Sequence, residues 1–183
     1  MSSGADGDRT HRARVRVRAY RAADRRTLEG FFDAFQDELV AMDDLGRLVR
    51  RSGYGAHAAG QCLREVQTER GRLLIAELDG RPVGFAAGVV RSPPPGAHLS
   101  ARVGPYGRVT ELYVAPGARR RGVATRLLAR LDGHFARAGC ETVRVEVFVP
   151  NLSARRLYAQ LGYRERDLEL IRPIAETAPG QGS

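Results

Sequence analysis

Apolar residues first alternate with arginines near the start of the chain. In the stretch RVRVRAYR, Val15, Val17 and Ala19 occupy every second position, which is the period of a strand with one buried face. Asp24 follows at a position suited to a helix N-cap, and an apolar stripe at helical spacing begins after it. The stripe consists of Leu28, Phe31, Phe32, Phe35 and Leu39. We therefore predict a strand and then a helix that ends near residues 43–44.

The middle of the chain carries a strong hairpin signal. A weaker helical pattern covers Gly60 to Glu69, and the runs RLLIAEL and RPVGFAAGVV then flank Asp79-Gly80. An Asp-Gly pair between two apolar runs is typical of a tight turn between antiparallel strands. The next stretch, RSPPPGAHLSARVGPYG, contains three prolines and several glycines and predicts a surface loop.

The last third of the chain predicts two strand-to-helix units and a final strand. Their expected positions are a strand ending at Pro116, a helix from about Gly122, a strand over 142–149, a helix over 151–162 and a closing strand over 163–173. The full order is β-α-α-β-β-β-α-β-α-β. It predicts an α/β fold of the α+β type, with a mixed sheet that carries helices on its faces.

Composition favours one ordinary globular domain of a water-soluble protein. The 183 residues are 43% hydrophobic and 28% charged, and no apolar run is long enough to span a membrane. We expect a domain over residues 13–174, a disordered lead over 1–12 and a flexible tail over 175–183. The lead lacks the apolar core of a secretory signal, and the two cysteines have no metal spacing. A cytoplasmic location, no membrane contact and no bound metal are therefore expected.

The net charge of +9 raises the possibility of nucleic-acid binding. All 30 basic residues are arginine, however, and they are spread along the chain, often beside acids. Complete replacement of lysine indicates a bias that acts on the whole sequence rather than selection for phosphate contact. We expect no nucleic-acid partner, although a salt-sensitive nucleic-acid binder remains a third hypothesis.

The stretch YVAPGARRRGVATRLL has the features of an anion site at a helix N-terminus. A buried strand stops at Pro116 and a helix begins at Gly122, where the first backbone N–H groups have no partner within the helix. Gly122 lets a pyrophosphate approach the backbone closely, and Ala124 is small. A Walker P-loop and a Rossmann fingerprint are excluded because their further glycines and lysine are absent. An ordinary surface helix decorated with arginines is the alternative interpretation.

A second motif lies about 25 residues later, after one helix and one strand. It runs from Asn151 through Ala154, Leu157 and Tyr158 to LGY at 161–163, and reads N-x-x-A-x-x-L-Y-x-x-x-G-Y. With the strand-turn-helix before it, the arrangement from Arg108 to Tyr163 resembles the GNAT family of N-acetyltransferases. In that family R/Q-x-x-G-x-G/A is the acetyl-CoA pyrophosphate loop.

The resemblance implies a fold, an activity and a set of cofactor contacts. The fold is the acyl-CoA N-acyltransferase fold, a central mixed and mostly antiparallel sheet flanked by helices. The activity is transfer of acetyl from acetyl-CoA to a primary amine of a small molecule or peptide, by direct attack in a ternary complex. The residues implied to bind the cofactor are Leu112, Tyr113, Val114, Arg119, Arg120, Arg121, Gly122, Val123, Ala124, Thr125, Asn151, Ala154 and Tyr158. A nucleoside triphosphate is the rival ligand.

The resemblance also implies a catalytic pair. Tyr158 matches the family's tyrosine acid, which protonates the departing thiolate, although it could instead be a core tyrosine. Glu111, on the strand before Pro116, is the candidate base. In many relatives the acid stands one residue earlier, where this chain has Thr110, and strand alternation makes that offset matter unless a bulge intervenes. Glu146 is the alternative base.

The acceptor side is the least specified part of the sequence. Asp33, Asp37, Asp43 and Asp44 could attract a cationic amine or could simply form a solvated helix face. Asn151 could contact the cofactor arm, cap its helix, or do both. A homodimer is possible, because dimers are common in the family. An acyl-CoA-binding or regulatory module without turnover is the second functional hypothesis.

Overall fold

The structure is a computed structural model that describes residues 14–172. The predicted lead over 1–12 and tail over 175–183 lie outside the described residues. The regular elements are β1 Val15–Ala19, α1 Arg25–Met42, α2 Tyr54–Thr68, β2 Arg72–Leu78, β3 Arg81–Arg91, β4 Tyr106–Val114, α3 Val123–Arg137, β5 Thr142–Val145 and α4 Leu152–Gln160. Short 3-10 turns occupy residues 22–24, 97–99 and 116–118.

The five strands form one mixed sheet in the order β1-β2-β3-β4-β5. The first three pairings are antiparallel, and only β4 and β5 run parallel. The predicted hairpin is confirmed, because β2 and β3 are joined through Asp79 and Gly80, both with positive φ. The mixed, mostly antiparallel sheet predicted from the sequence is therefore present.

Helices cover both faces of the sheet and divide the core into two clusters. Helix α3 packs Leu127, Leu131 and Phe135 on one face, which we call the α3 face. Helices α1 and α2 pack on the opposite face, called the α1/α2 face, through side chains such as Leu28 and Phe32. The apolar stripes read from the sequence of α1 and α3 account for both contacts.

Three predicted elements differ from the structure. Helix α2 begins at Tyr54 rather than Gly60, because its first turns carry small residues that pack closely: a Cβ on Gly55 would lie 2.3 Å from the Glu29 carbonyl oxygen. Strand β5 ends at Val145 rather than at residue 149. The predicted closing strand is wrong for the described residues 163–172, which form no strand. Asp24 occupies the N-cap position of α1, but its carboxylate instead accepts from Arg18 and from the Arg21 N–H.

Candidate active site

A cavity forms where β4 and β5 part. The two strands pair only from Tyr106 to Val109 on β4, while β4 continues five residues further along a free edge. The cavity has a volume of about 70 Å³. It is lined by residues 109–112 of β4 and by residues 145–148, of which Val145 is the last residue of β5 and the other three follow it. Phe35 and Leu39 of α1 and Tyr158 of α4 complete its wall. This splayed edge leaves room for an extended ligand beside β4.

A β-bulge in β4 determines the face of the sheet to which Glu111 points. Val109 pairs with Gly88 and Glu111 pairs with Ala87, so Thr110 is the extra residue without a partner on β3. Simple alternation from Val109, which packs on the α3 face, would send Glu111 to the same face. The bulge instead turns Glu111 to the α1/α2 face, where its neighbour on β3, Ala87, is buried.

The Glu111 carboxyl is largely buried and lines the cavity. Burial raises the pKa of Glu111 from 4.5 to about 7, and the negative charge of Glu65 adds to the rise. Within residues 14–172 no side chain donates a hydrogen bond to this carboxylate or forms an ion pair with it. A carboxyl that titrates near neutral pH beside a cavity is suited to accept a proton from a ligand.

The start of α3 supplies unpaired backbone donors near the end of β4. Gly122 is the N-cap with φ 75°, Arg120 also has a positive φ of 62°, and no side chain caps the helix. The first intrahelical bond runs from the Arg126 N–H to the Gly122 carbonyl, so the N–H groups of residues 123–125 remain free for an anion. A Cβ on Gly122 would meet no protein atom within 4 Å, which leaves the approach to these donors open.

Tyr158 stands on the opposite wall of the cavity from α1. Its side chain is only 7% exposed, it packs in the α3-face cluster, and its ring lies 5.4 Å from that of Tyr163. Burial raises the pKa of the Tyr158 hydroxyl, with a further contribution from Tyr163, so it keeps its proton at neutral pH. No described residue hydrogen-bonds this hydroxyl, and it is therefore available to a ligand in the cavity.

Residues 41–163 match the sequence profile of the Acetyltransferase (GNAT) family. The chain belongs to this family. It is 36% identical over 95 residues to the uncharacterized N-acetyltransferase MJ1530 of Methanocaldococcus jannaschii, a match that covers 51% of this chain and 53% of the relative. It is 36% identical over 56 residues to an aminoglycoside N(6')-acetyltransferase type 1 of Serratia marcescens, covering 31% of this chain and 38% of the relative. The matches thus span about half or less of these relatives.

Solved structures share the GNAT fold with this chain. A mutant of the BH1408 protein from Bacillus halodurans superposes with a TM-score of 0.74 at 13% identity, covering 87% of this chain and 99% of that one. A predicted acetyltransferase with acetyl-CoA from Clostridium acetobutylicum gives 0.66 at 18% identity, covering 87% and 96%. The enzyme AAC(6')-Iy with a CoA bisubstrate analogue gives 0.64 at 17% identity, covering 89% and 100%. At these identities the likeness establishes the fold.

Arg119, the first residue of the GNAT loop motif, uses two side-chain nitrogens and its backbone N–H in contacts within the protein. Its Nε donates to the Val114 carbonyl at 2.8 Å, its Nη2 pairs with Glu38 of α1, and its backbone N–H donates to Pro116. Its side chain therefore fastens the loop to the end of β4 and to α1. The side chains of Arg120 and Arg121 are exposed beside the free N–H groups.

Asn151 caps α4, which was one of its two predicted roles. Its Oδ1 accepts from the Ala154 N–H at 3.0 Å and from the Ser153 hydroxyl at 2.9 Å. Asn151 and Ala154 both line the cavity. The Nδ2 group of Asn151 is not used by the cap and remains a donor at the cavity wall.

The alternative base, Glu146, lies in a different environment from Glu111. It lines the cavity, but its side chain is 82% exposed and pairs with Arg108 at 2.7 Å. Glu111, by contrast, is largely buried and has no cationic partner within residues 14–172. The geometry therefore favours Glu111 over Glu146 as the base.

Thr110 is a site residue whose role the sequence did not indicate. Its Oγ1 is buried and has no hydrogen-bond partner in the part of the chain that the structure describes, and the residue lines the cavity. An unsatisfied buried hydroxyl costs free energy unless a ligand or water completes it. The sequence places Thr110 beside Glu111, but only the contacts in the folded structure show that its hydroxyl lacks a partner.

The acids of α1 are largely engaged in internal contacts. Asp33 and Asp37 both face Arg50, and Asp33 also accepts from the Gly55 N–H at 3.0 Å. Asp43 accepts from two backbone N–H groups of the turn that follows α1. These contacts indicate that the acids stabilise the fold, and they give less support to the prediction that the acids attract a cationic amine.

Two general features complete the site description. Among residues 14–172 there is no group of three or more histidine, cysteine, aspartate or glutamate side chains arranged to hold a metal ion. Over the same residues, no helix combines the length and the apolar character needed to cross a membrane.

Proposed function

We propose that the protein transfers the acetyl group of acetyl-CoA to a primary amine of a small molecule or peptide, in a ternary complex. The observation that carries the proposal is that one cavity holds a largely buried carboxyl, Glu111, and a buried protonated phenol, Tyr158, while β4, which lines this cavity, leads on to the uncapped start of α3. Membership of the GNAT family and the relatives named as N-acetyltransferases support it.

Three features of the described residues support acetyl-CoA binding. The free N–H groups at the start of α3 would hold the pyrophosphate, with the exposed Arg120 and Arg121 beside them. The unpaired edge of β4 from Thr110 to Val114 would run beside the pantetheine arm. The orphaned Thr110 hydroxyl and the Asn151 amide would find acceptors on the bound molecule.

The chemical step divides between the two walls of the cavity. The amine nitrogen attacks the thioester carbonyl carbon, and Glu111 takes the proton that the nitrogen loses, directly or through one water. As the tetrahedral intermediate collapses, the carbon–sulfur bond breaks and the thiolate takes a proton from the Tyr158 hydroxyl. The products are the acetylamide and free CoA, and the proton on Glu111 returns to solvent while Tyr158 is reprotonated.

The pKa directions agree with these roles. A base works best when its pKa lies near the operating pH, and burial brings the pKa of Glu111 to about 7. An acid must hold its proton until the leaving group needs it, and burial raises the pKa of Tyr158 above its usual range. Glu111 is turned to the α1/α2 face and Tyr158 packs with the α3-face cluster, so each can serve a different atom of the reacting group.

The test combines cofactor binding with thiol release. Acetyl-CoA should raise the melting temperature of the protein, and free CoA should appear when a panel of primary amines is added. Gly122→Glu should abolish both, because its carboxylate would occupy the pyrophosphate site. Gly96→Glu, at an exposed loop glycine that also has a positive φ of 81° and nothing within 4 Å of an added Cβ, is the matched control and should retain both.

Two results would contradict the proposal. Full acetyl-CoA binding by a folded Gly122→Glu variant would remove the loop assignment. Binding without CoA release across the whole amine panel, with no change on Tyr158→Phe substitution, would favour a binding module without turnover.

A further inference from the structure

Resting on the proposed function, we infer that the acceptor is a primary amine with a single cationic group and an apolar substituent, and not a polyamine or an aminoglycoside. The inference comes from the charge and polarity of the cavity wall on the α1 side. It names a substrate class for the site and goes beyond the transfer reaction itself.

The acceptor approaches from the α1 side of the cavity. Glu111 is turned to the α1/α2 face by the bulge, whereas Tyr158 packs with the α3-face cluster. The thiol leaves toward Tyr158, so the amine arrives where α1 and the segment after β5 border the cavity. The wall there is formed by Phe35, Leu39 and Phe148.

This wall is apolar and half-buried. Phe35 and Leu39 project from α1 and Phe148 follows β5, and each keeps part of its side chain accessible to solvent. The cavity is small, about 70 Å³, so an amine whose amino group reaches Glu111 would place its substituent against this wall. An aliphatic or aromatic substituent would cover the exposed apolar surface and gain free energy from its burial.

The carboxylates that could attract a second ammonium are already paired. They lie on α1 and where β4 and β5 part, and each forms an ion pair with an arginine. The pairs are Asp33 and Asp37 with Arg50, Glu38 with Arg119, and Glu146 with Arg108. A second ammonium would therefore meet guanidinium groups as often as carboxylates, and it would lose water against an apolar wall without gaining a free partner.

Glu111 provides for one positive charge only. Of the two carboxylates that line the cavity, Glu146 pairs with Arg108, whereas Glu111 has no cationic partner among residues 14–172. An amino group that enters the cavity can therefore pair with Glu111. Asp44 is exposed, but it lies in the turn beyond α1 and does not line the cavity. The site thus matches an amine with one charge at one end and an apolar remainder.

The test compares two acceptors that differ only by a terminal ammonium, hexylamine and 1,6-diaminohexane. The readout is kcat/KM from thiol release at saturating acetyl-CoA, with kanamycin as a polycationic third acceptor. We expect hexylamine to be preferred over 1,6-diaminohexane by at least about tenfold, and over kanamycin by more.

A charge variant tests the cause of the preference. Arg50→Gln should free Asp33 and Asp37 and reduce the hexylamine preference by at least about threefold, because a second ammonium would then find a carboxylate. Arg51→Gln removes the same charge at the neighbouring exposed arginine and should leave the preference unchanged. The comparison of acceptors on the unmodified protein stands even if the Arg50 variant does not fold.

The outcomes separate this inference from the proposed function. If acetyl-CoA binds and 1,6-diaminohexane or kanamycin is acetylated as well as hexylamine, the inference is overturned and the transferase function stands. If acetyl-CoA binds and hexylamine is not acetylated, the inference is also overturned. If acetyl-CoA does not bind, the proposed function falls and takes the inference with it.

Discussion

Replacing Glu111 with glutamine should make the protein more stable at high pH and nearly inactive. The pKa of Glu111 rises from 4.5 to about 7 on folding, because the carboxyl is buried on the α1/α2 face near Glu65. At about 1.4 kcal/mol per pH unit, this corresponds to a cost of about 3 kcal/mol for the ionised form in the folded protein. The glutamine variant keeps the shape of the side chain and carries no such cost.

The sign of the pH dependence follows from which state loses its proton first. Below about pH 4.5 both states hold the Glu111 proton, and the group has no effect on the free energy of unfolding. Between about pH 4.5 and 7 the unfolded chain releases the proton while the folded chain retains it, so stability falls as the pH rises. Above about pH 7 the folded carboxyl is ionised too, and the difference stays constant.

The assay is urea unfolding of the ligand-free protein and of Glu111→Gln, followed by circular dichroism at pH 5.0 and 8.5. The free energy of unfolding of the variant minus that of the unmodified protein should grow by about 2 to 3 kcal/mol between these pH values. Subtraction removes the contribution of the other titrating groups. Glu146→Gln, which removes an exposed carboxylate from the same cavity, is the matched control. A difference for Glu111→Gln that does not change with pH would refute the argument from burial.

Turnover gives a second readout of the same substitution. If Glu111 accepts the amine proton, Glu111→Gln should lower kcat by about 10²- to 10⁴-fold without weakening acetyl-CoA binding. Unchanged kcat in a variant that shows the expected stability gain would mean that the buried carboxyl is not the base. A loss of kcat in Glu146→Gln instead would move the role to that residue.

Three further substitutions test other parts of the structure. Tyr158→Phe should lower kcat by about 10²-fold or more with acetyl-CoA still bound, and an unchanged kcat would remove the acid role. Thr110→Val should leave the free energy of unfolding unchanged or raise it by up to about 1 kcal/mol, because the hydroxyl has no hydrogen-bond partner to lose, and the KM for acetyl-CoA should rise. Clear destabilisation in urea would show that the hydroxyl does have a partner in the ligand-free protein. Gly107→Ala should destabilise the fold by about 1 to 3 kcal/mol in urea, because its Cβ would lie 2.4 Å from the Phe135 ring, whereas Gly117→Ala, with nothing within 4 Å, should have little effect.

The sequence predicted those features that depend on local periodicity or turn chemistry. The stripe of α1, the Asp79-Gly80 turn and the start of α3 at Gly122 follow from side-chain spacing and from the need for positive φ. The two motifs then identified the family, which the match over residues 41–163 confirms. The cofactor and catalytic roles of single residues remain predictions.

Other features depend on contacts between distant residues and left no pattern in the sequence. Helix α2 starts at Tyr54 because Gly55 packs against the backbone of α1, which periodicity within α2 does not reveal. The final segment alternates like a strand, yet its described residues find no strand to pair with. The pairing of Asp33 and Asp37 with Arg50 likewise joins a helix to a later loop, so these acids looked free in the sequence.

The bulge at Thr110 has a consequence for how sequences of this kind are compared. In a regular strand, a carboxylate one position earlier than Glu111 would point to the same face as Glu111 does here, because the extra residue shifts the alternation by one. An acid displaced by one residue therefore points to the same face when the strand also carries a bulge at that place. A comparison by aligned position alone would therefore miss Glu111 as a candidate base, whereas a comparison by the face of the sheet would retain it.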